Sequence, residues 1–234
     1  NILRINPGGT LTLNPTVTLT VNGALKNNVG TTGLILKSSS SGSASLIHKT
    51  NNVEATMETY FNLDAHYFCS SPISDAVSGM FLDQYMFTWD EVSYEWANFS
   101  ETDTPLVVGK GYDIYNVDQS IASYVGTLNN GNRSITGLTR TTSGLGDPGF
   151  NLVGNPYPSC LDVFEINFPS EITAASYVLR HGPKTYYFWS QGSGGDMEAR
   201  YIQPGQGFFI EVLVNNQALD FSNTARTHAG LGPL

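Results

Sequence analysis

The sequence predicts an all-β protein in which N-terminal β-solenoid-like repeats are followed by a β-sandwich made of two duplicated halves. Three observations lead to this fold class: the composition, an eight-residue repeat near the N-terminus, and a longer unit that occurs twice further on. Of 234 residues, 24 are glycine and only 13% are charged, a profile typical of secreted all-β proteins with many turns. The formal net charge is −9, which disfavours nucleic acid and anionic membranes as partners because both carry negative charge.

The eight-residue repeat lies within a segment that we assign to residues 1–50. Its repeated positions are Asn6, Asn14 and Asn22 at the corners, and Leu3, Leu11 and Leu19 within the strands. Each octet is expected to form a short strand and a corner, because Asn followed by Pro or Gly favours a turn. Two arrangements remain open: a solenoid with stacked rungs of about 24 residues, and a meander of hairpins with a type I′ turn at Asn22-Gly23. Pro7 and Pro15 favour the solenoid, because proline suits a corner better than a paired strand.

The sandwich is assigned to residues 51–234, with its two related halves at about 62–128 and 150–224. The matching segments, in chain order, are Tyr67–Ser74 with Phe150–Ser159, Tyr85–Trp89 with Tyr177–Arg180, and Val107–Ile114 with Gln203–Ile210. Pro72 and Pro156 are 84 residues apart, Tyr85 and Tyr177 are 92 apart, and Gly111 and Gly207 are 96 apart. Slowly growing offsets in a constant order indicate one unit that was duplicated with small insertions. Each aromatic segment is expected to form a hairpin, with its turn at 90–93 or at 181–184.

The aromatic residues give the main hypothesis about binding. The chain has 12 Tyr, 12 Phe and 3 Trp, and the alternation of a strand exposes every second side chain. Exposed aromatic faces bind sugars and proteins, although these side chains also suit the core of a sandwich. Tyr186 belongs to the same aromatic hairpins. The predicted ligand-binding residues are Trp89, Tyr94, Trp96, Asn155, Tyr157, Tyr187 and Trp189.

Asn155 and Tyr157 join that set because they follow a predicted strand, and loops on a rigid scaffold often carry binding groups. The alternative is that Asn155-Pro156 only sets a turn. Gly207, in contrast, is expected to be structural. It precedes a dense apolar run, where a positive φ that glycine adopts readily would bend the chain into a buried strand.

No motif in the sequence predicts catalysis or a cofactor. The four histidines lack the paired spacing of a zinc site, and there is no Gly-x-Ser-x-Gly nucleophile elbow. Asp90, Glu91 and Glu95 are the best local candidates for a pair of catalytic carboxylates, but Asp90 and Glu91 fall at an expected hairpin tip, where water would solvate them. A structural calcium ion held by Asp75, Asp90 or Asp162 remains an open alternative. We therefore expect a protein that is not an enzyme.

Two cysteines, Cys69 and Cys160, each lie beside one copy of the duplicated unit. A disulfide between them and a pair of buried free thiols are both compatible with that position. No apolar run approaches the about 20 residues that cross a bilayer, so membrane insertion is not expected.

Four segments resemble large secreted and surface proteins of Bacteroidetes-type bacteria that are associated with type IX secretion. They are Gly154–Ser159 (GNPYPS), Pro204–Phe209 (PGQGFF), the hairpin at Trp89-Asp90, and Phe221–Arg226. The resemblance covers roughly residues 50–228 and implies a secreted or cell-surface location, with an extracellular protein or glycan as partner. The C-terminal sorting domain of that group is not seen before Leu234. We expect a non-enzymatic module with an adhesive or structural role; the alternative is a carbohydrate-binding module attached to an enzyme outside this sequence.

Overall fold

The computed structural model describes residues 1–81, 84–99, 101, 103–118, 120–142, 144, 146–180 and 185–234. Strands make up 49% and helices 6% of the chain, so the prediction of an all-β protein is confirmed. None of the helices in the described part of the chain has the length and apolarity needed to cross a bilayer.

The N-terminal segment is built from short strands that pair mostly in parallel, with one small antiparallel pair, Ser38–Ser39 with Gly42–Ser43. Its strands are β1 (Ile2–Ile5), β2 (Leu11–Leu13), β3 (Thr18–Val21), β4 (Ala24–Asn27), β5 (Leu34–Leu36), β6 (Ser38–Ser39), β7 (Gly42–Ser43), β8 (Ser45–His48) and β9 (Glu54–Tyr60). β1 pairs with β4, β2 with β5, β3 with β8, and β5 with β9, all in parallel. A hairpin meander pairs consecutive strands in antiparallel, so the meander is wrong. Asn22-Gly23 joins β3 to β4, but β3 pairs with β8 and β4 pairs with β1, so these two residues do not form a hairpin turn.

The parallel register stacks leucine on leucine. The stacked pairs are Leu3 on Leu25, Leu11 on Leu34, and Leu19 on Leu46. The second member of each pair is at most 1% exposed. The last residue of each octet strand, Ile5, Leu13 or Val21, is also buried. The octet repeat thus turns two apolar side chains per strand towards the inside of the coil, where full burial of a leucine stabilises the stack by roughly 1.5–3 kcal/mol.

The next strands form the first of two larger antiparallel sheets. They are β10 (Ala65–Cys69), β11 (Tyr85–Asp90), β12 (Glu95–Asn98) and β13 (Tyr112–Asn116), and they lie in the order β10-β13-β11-β12. A 3-10 helix at Ser78–Phe81 precedes β11. After β13, strand β14 (Ile121–Thr127) returns to pair with β9, which joins this sheet to the N-terminal coil.

The remaining elements form the second larger sheet and two small ones. They are β15 (Arg133–Leu138), β16 (Phe150–Gly154), β17 (Cys160–Asp162), a 3-10 helix (Val163–Glu165), β18 (Ala175–Arg180), β19 (Thr185–Ser190), β20 (Gly194–Gly195), α1 (Met197–Arg200), β21 (Tyr201–Ile202), β22 (Gly207–Glu211), β23 (Gln217–Phe221), a 3-10 helix (Asn223–Ala225) and β24 (Arg226–Thr227). The second sheet has the order β16-β22-β18-β19-β20. The turn predicted at 181–184 lies outside the described residues.

The two larger sheets also exchange equivalent backbone contacts at their edges. Cys69 forms an antiparallel bridge with Gln206, and Lys110 forms one with Val153. The N–H of Ser70 donates to Gly205 O, and the N–H of Gly154 donates to Gly109 O, both at 2.8 Å. These backbone contacts join β10 to the segment just before β22, and they join the segment just before β13 to β16. The shared origin of the two halves stays a prediction.

The register corrects one detail of the predicted match between the halves. Phe87 lies opposite Asp113, and Tyr177 lies opposite Phe209. With Asp113 and Phe209 96 residues apart, the residue equivalent to Tyr177 is Phe87, which is 90 residues away. The predicted offset of 92 from Tyr85 is wrong by two residues, a shift that keeps each side chain on its own face of the strand.

Three apolar clusters lie in and beside these sheets. The first, which includes Leu34, Met57 and Ile114, fills the space between the coil and the first sheet. The second, which includes Phe208 and Phe221, packs beneath the second sheet. The third lies between the two sheets and consists of Phe68, Leu152 and Phe209, with Trp89, Phe150, Tyr177 and Leu179 at its margin. The candidate site opens at that margin.

Both cysteines are buried free thiols, so the disulfide alternative is wrong. Burial raises the pKa of Cys160 to about 12 and the pKa of Cys69 well above its usual value. Each thiol therefore stays protonated and serves as a small apolar core group.

Candidate functional site: an aromatic cleft between two sheets

A cleft of about 300 Å³ opens where the β11–β12 hairpin meets the second sheet. This aromatic cleft is lined by Trp89, Tyr94, Trp96, Phe150, Tyr177, Tyr186, Phe209 and Asp147. Its volume is at the lower end of the roughly 300–1,000 Å³ of small-ligand pockets. Trp89, Tyr94 and Trp96, which the sequence predicts as ligand-binding residues, therefore meet at one site, together with Tyr186.

Strand alternation brings the two tryptophans together. Trp89 on β11 lies opposite Trp96 on β12, so their side chains share one face of the hairpin, with ring centroids 5.2 Å apart and planes 59° apart. The indole N–H of Trp89 donates to Phe150 O at 2.6 Å. That bond fixes the hairpin against the second sheet and sets the orientation of the Trp89 ring.

Tyr94 occupies a backbone conformation that side chains other than glycine adopt rarely. Its φ is 58°, which costs of order 1 kcal/mol or more and persists only where the surroundings enforce it. The Tyr94 ring packs edge-on against Trp89, with centroids 5.0 Å apart. It also covers Gly146, where an added Cβ would lie 2.3 Å from the Tyr94 ring. The position of this ring therefore depends on glycine at 146.

Glu91 joins the hairpin tip to the segment that carries Asp147. Its Oε1 accepts hydrogen bonds from the N–H of Gly149 at 2.7 Å and of Thr141 at 2.8 Å. Burial by itself raises the pKa of Glu91, but these hydrogen bonds outweigh it and lower the pKa. The expectation that Glu91 is solvated at a hairpin tip is wrong, because the residue is only 3% exposed. Asp90 is exposed and accepts from Val92 N–H within the turn.

The outer walls of the cleft remain open to solvent. Trp96 is 39% exposed and Tyr186 is 47% exposed, whereas Phe209 at the base is buried. Burial, the carboxylate of Asp113 and the neighbouring Tyr94 raise the pKa of Tyr186. The Tyr186 hydroxyl is therefore neutral, and Asp147 supplies the formal charge of the cleft lining that the structure describes.

Asn155 and Tyr157, predicted to contact a ligand, are both fully buried, so that prediction is wrong. The amide of Asn155 donates to Ser159 O at 2.7 Å and accepts from the Tyr157 N–H at 2.9 Å. The Tyr157 hydroxyl lies 2.7 Å from Phe221 O, to which it donates. The loop after β16 therefore supplies internal hydrogen bonds rather than a binding surface. This agrees with the alternative that Asn155-Pro156 only sets a turn.

Tyr157 contacts a buried arginine, Arg226, that is not among the predicted ligand-binding residues. The Arg226 guanidinium lies 4.9 Å from the centre of the Tyr157 ring and donates to Leu46 O at 2.8 Å and to His48 O at 2.9 Å. It also contacts Ser159 Oγ at 3.2 Å. Arg226 thus joins the coil, the loop after β16 and the C-terminal segment. Its signal in the sequence is its place at the end of the segment Phe221–Arg226, one of those that carry the family resemblance.

Tyr187 and Trp189 lie on the opposite face of β19 from the aromatic cleft, because side chains two residues apart share a face. Trp189 is buried in the core beneath the second sheet, and Tyr187 packs at its margin. The Arg180 guanidinium covers the Tyr187 ring at 5.1 Å. Neither residue lines the aromatic cleft. Burial makes the prediction wrong for Trp189, which is 5% exposed, whereas ligand binding by the half-buried Tyr187 stays a prediction.

Gly207 is needed for close approach rather than for a positive φ. The left-handed backbone lies at Gly205, with φ 72°. A Cβ added at Gly207 would lie 3.1 Å from Cys69 O, and one added at Gly111 would lie 2.6 Å from Val153 O. Gly207 therefore has a structural role because it lets the two sheets approach closely. The backbone bend that was predicted at Gly207 occurs instead at Gly205.

No group of three or more His, Cys, Asp or Glu side chains is placed to hold a metal ion within the described residues. The three aspartates considered for calcium have protein partners. Asp75 accepts from Thr127 N–H at 2.8 Å, Asp90 caps its turn, and Asp162 pairs with Arg200 through two bonds of 2.9 Å.

The fold and the cleft together define a class: an all-β protein of paired sheets with a preformed aromatic cleft. Residues 1–231 match a family model described as a domain of unknown function, DUF8693, so the chain belongs to that family. The chain is also similar to the minor fimbrium subunit Mfa5 of Porphyromonas gingivalis, with 28% identity over 205 residues. That match covers 75% of this chain and 16% of the length of the curated relative. No solved structure matches the chain.

Proposed function

We propose that this chain is a non-enzymatic module of a secreted or cell-surface protein, with an adhesive or structural role. The observation that carries the proposal is the aromatic cleft. Exposed Trp and Tyr side chains held on a rigid scaffold are the groups that dominate protein contacts. The similarity to a protein named as a fimbrium subunit supports a surface location, as do the motifs that resemble type IX secretion-associated proteins of Bacteroidetes-type bacteria. The partner would be an extracellular protein.

The architecture that we propose for this role has two parts. Residues 1–50 form a solenoid-like coil, supported by the parallel pairing and the stacked leucines. Residues 51–234 form a sandwich of two duplicated halves, supported by the common strand order and by the reciprocal bridges between the two sheets. A rigid body of this kind suits a structural or adhesive role, which depends on shape rather than on catalytic turnover.

The chemistry of the cleft supports a role without catalysis. Its described lining offers one carboxylate, Asp147, and no histidine, cysteine or lysine. Acid–base hydrolysis of a glycosidic bond needs two carboxyl groups across the substrate. Elsewhere, Ser45 and His228 form a hydrogen-bonded pair at 2.7 Å, but Ser45 is fully buried, which leaves no room for a substrate.

The second candidate is a carbohydrate-binding module of a larger enzyme. The exposure of Trp96 and Tyr186 favours it, because sugars stack on aromatic faces. Against it, the cleft has few polar groups to accept the hydroxyls of a sugar.

The test is binding of the purified chain to a panel of immobilised extracellular matrix proteins and to a glycan array. Trp96→Ala removes the cleft wall, and Tyr85→Ala is the matched control. Tyr85 is an aromatic on β11 that is 56% exposed and lies outside the cleft. We expect protein binding that Trp96→Ala weakens by about tenfold or more and that Tyr85→Ala leaves unchanged. Glycan binding with the same dependence on Trp96 would select the second candidate. Equal binding by both variants would exclude the cleft as the contact site.

A further inference from the structure

We propose that the aromatic cleft binds an arginine side chain of the partner protein. This inference rests on the adhesive role proposed above and adds the chemistry of recognition. It comes from a comparison of the cleft with a second site in the same chain, where inclined aromatic rings and an aspartate already hold an arginine.

The occupied site lies around Arg200 at the end of α1. Its guanidinium carbon is 5.5 Å from the Phe164 ring, 5.6 Å from the Trp189 ring and 4.9 Å from the Tyr201 ring. Two of its nitrogens donate to the two carboxylate oxygens of Asp162, each at 2.9 Å. The planar guanidinium thus contacts aromatic rings and forms a two-point bond to one carboxylate, the combination that distinguishes arginine from lysine.

The aromatic cleft has the same components, and its lining among the described residues includes no lysine or arginine. Trp89 stands 75° from the Tyr94 ring and 88° from the Phe209 ring. Together with Trp96 and Tyr186, these rings line one open space, which we call the cage. A sugar ring prefers one broad flat platform, whereas a compact cation is attracted by several ring faces at once. Asp147 lines the same space and is the carboxylate that a bound cation would meet there, as Arg200 meets Asp162.

Charge points to the same ligand. Among the described residues that line the cleft, Asp147 carries the formal charge and none is basic. The whole chain carries a net charge of −9. A negative potential in a partly desolvated cleft favours a cation over a neutral group of the same shape.

The cage is formed before any ligand arrives. Three contacts fix it: the Trp89 indole bond to Phe150 O, the Tyr94 ring on Gly146, and the Glu91 clasp on Gly149. A preorganised site loses little conformational entropy on binding, so a single side chain suffices as an anchor.

The test uses N-acetyl-Gly-Arg-Gly-amide and its neutral isostere N-acetyl-Gly-citrulline-Gly-amide, titrated into the full chain by NMR with the tryptophan indole resonances as reporters. We expect the arginine peptide to bind about fivefold or more tightly than the citrulline peptide. Asp147→Asn, which keeps shape and removes charge, should remove most of that difference, and Trp96→Ala should abolish binding. Tyr85→Ala should change neither.

The outcomes separate the ligand class from the proposed function. Equal binding of both peptides, or no effect of Asp147→Asn, would overturn the arginine proposal. If Trp96→Ala nevertheless weakens binding to matrix proteins, the adhesive role holds and another group of the partner enters the cleft. If glycans displace the arginine peptide from wild-type protein at lower concentration than matrix proteins do, both the partner class and its side chain are wrong.

Discussion

Arg226 stacks on Tyr157, with its guanidinium carbon 4.9 Å from the ring centre, and no carboxylate pairs with it in the described structure. The charge is held by carbonyl oxygens of the coil and by the aromatic face. Burial accordingly lowers the pKa of Arg226 to about 10, so the side chain remains charged at neutral pH.

Replacing Arg226 by lysine should destabilise the protein by about 3 kcal/mol or more. A lysine keeps the charge but has no planar fork, so the carbonyls of Leu46 and His48 lose their donors, and each buried unpaired group costs about 1–3 kcal/mol. The measurement is urea unfolding followed by tryptophan fluorescence. Arg4→Lys, on exposed β1, is the control and should change stability by less than about 0.5 kcal/mol. A change below about 1 kcal/mol in Arg226→Lys would contradict the role given to this side chain.

Glu91→Ala should destabilise the fold by about 2 kcal/mol and loosen the aromatic cleft. The variant leaves the N–H groups of Thr141 and Gly149 without their acceptor in a buried place. Amide hydrogen exchange of both groups should accelerate more than global unfolding explains. Glu95→Ala is the matched control, because Glu95 is an exposed carboxylate of the same hairpin. If exchange at Gly149 is unchanged in Glu91→Ala, the hydrogen bonds of Glu91 do not hold the segment that carries Asp147.

Stability should fall as the pH is lowered from about 6.5 to about 4. Burial and the charge of Arg226 lower the pKa of His48 to about 4 from its ordinary 6.5, so in this window the unfolded chain binds a proton that the folded chain does not. The unfolded state is then favoured as pH falls, by up to about 3 kcal/mol for the whole shift. His228, whose pKa is lowered by burial and by Arg226, acts in the same direction. His48→Leu should flatten the pH dependence measured by urea titrations; an unchanged slope would assign the effect to other groups.

Alanine substitutions should rank the two close approaches between the sheets. At Gly111 the new Cβ would lie 2.6 Å from Val153 O, a backbone atom, and at Gly207 it would lie 3.1 Å from Cys69 O. We expect Gly111→Ala to cost about 2–3 kcal/mol and Gly207→Ala about 1 kcal/mol, by overpacking. Gly192→Ala is the control, since nothing lies within 4 Å of its added Cβ. Thermal melts would give the order of the two losses in stability. A larger loss for Gly207→Ala than for Gly111→Ala would mean that the backbone near Cys69 adjusts less easily than the backbone near Val153.

The sequence predicts the all-β class, the parallel stacking of the octets and the aromatic hairpin, because each depends on local periodicity. Strand alternation correctly groups Trp89 with Trp96, but it cannot tell which of two faces is open. On β19 it is Tyr186 that faces the cleft, whereas Trp189 enters the core, because a layer of side chains covers each side of the second sheet.

The errors concern polar residues whose partners lie far away in the chain. Asn155 and Glu91 both follow strands and look like loop residues open to water. Asn155 donates to Gln203 O, and Glu91 accepts from Gly149 N–H. These partners are 48 and 58 residues away in the chain, so local sequence patterns do not predict them. Asp147 adjoins the cleft on a segment held by two side chains, Glu91 through Gly149 N–H and Arg140 through Pro148 O.

The bridge between Cys69 and Gln206 also bears on the order in which the protein is made. These residues are 137 positions apart, which is more than half of the chain. The end of β10 therefore lacks its contact with the second sheet until Gln206 has been synthesised, and the buried carbonyls of Leu46 and His48 lack their donor until Arg226 follows. Native structure is therefore completed from the C-terminal side. During synthesis there is an interval in which the edge strand β10 lacks its contacts at Cys69 and Ser70 with the second sheet, and open sheet edges associate with other chains. The success of biosynthesis should depend on how quickly residues beyond 200 follow those before 70.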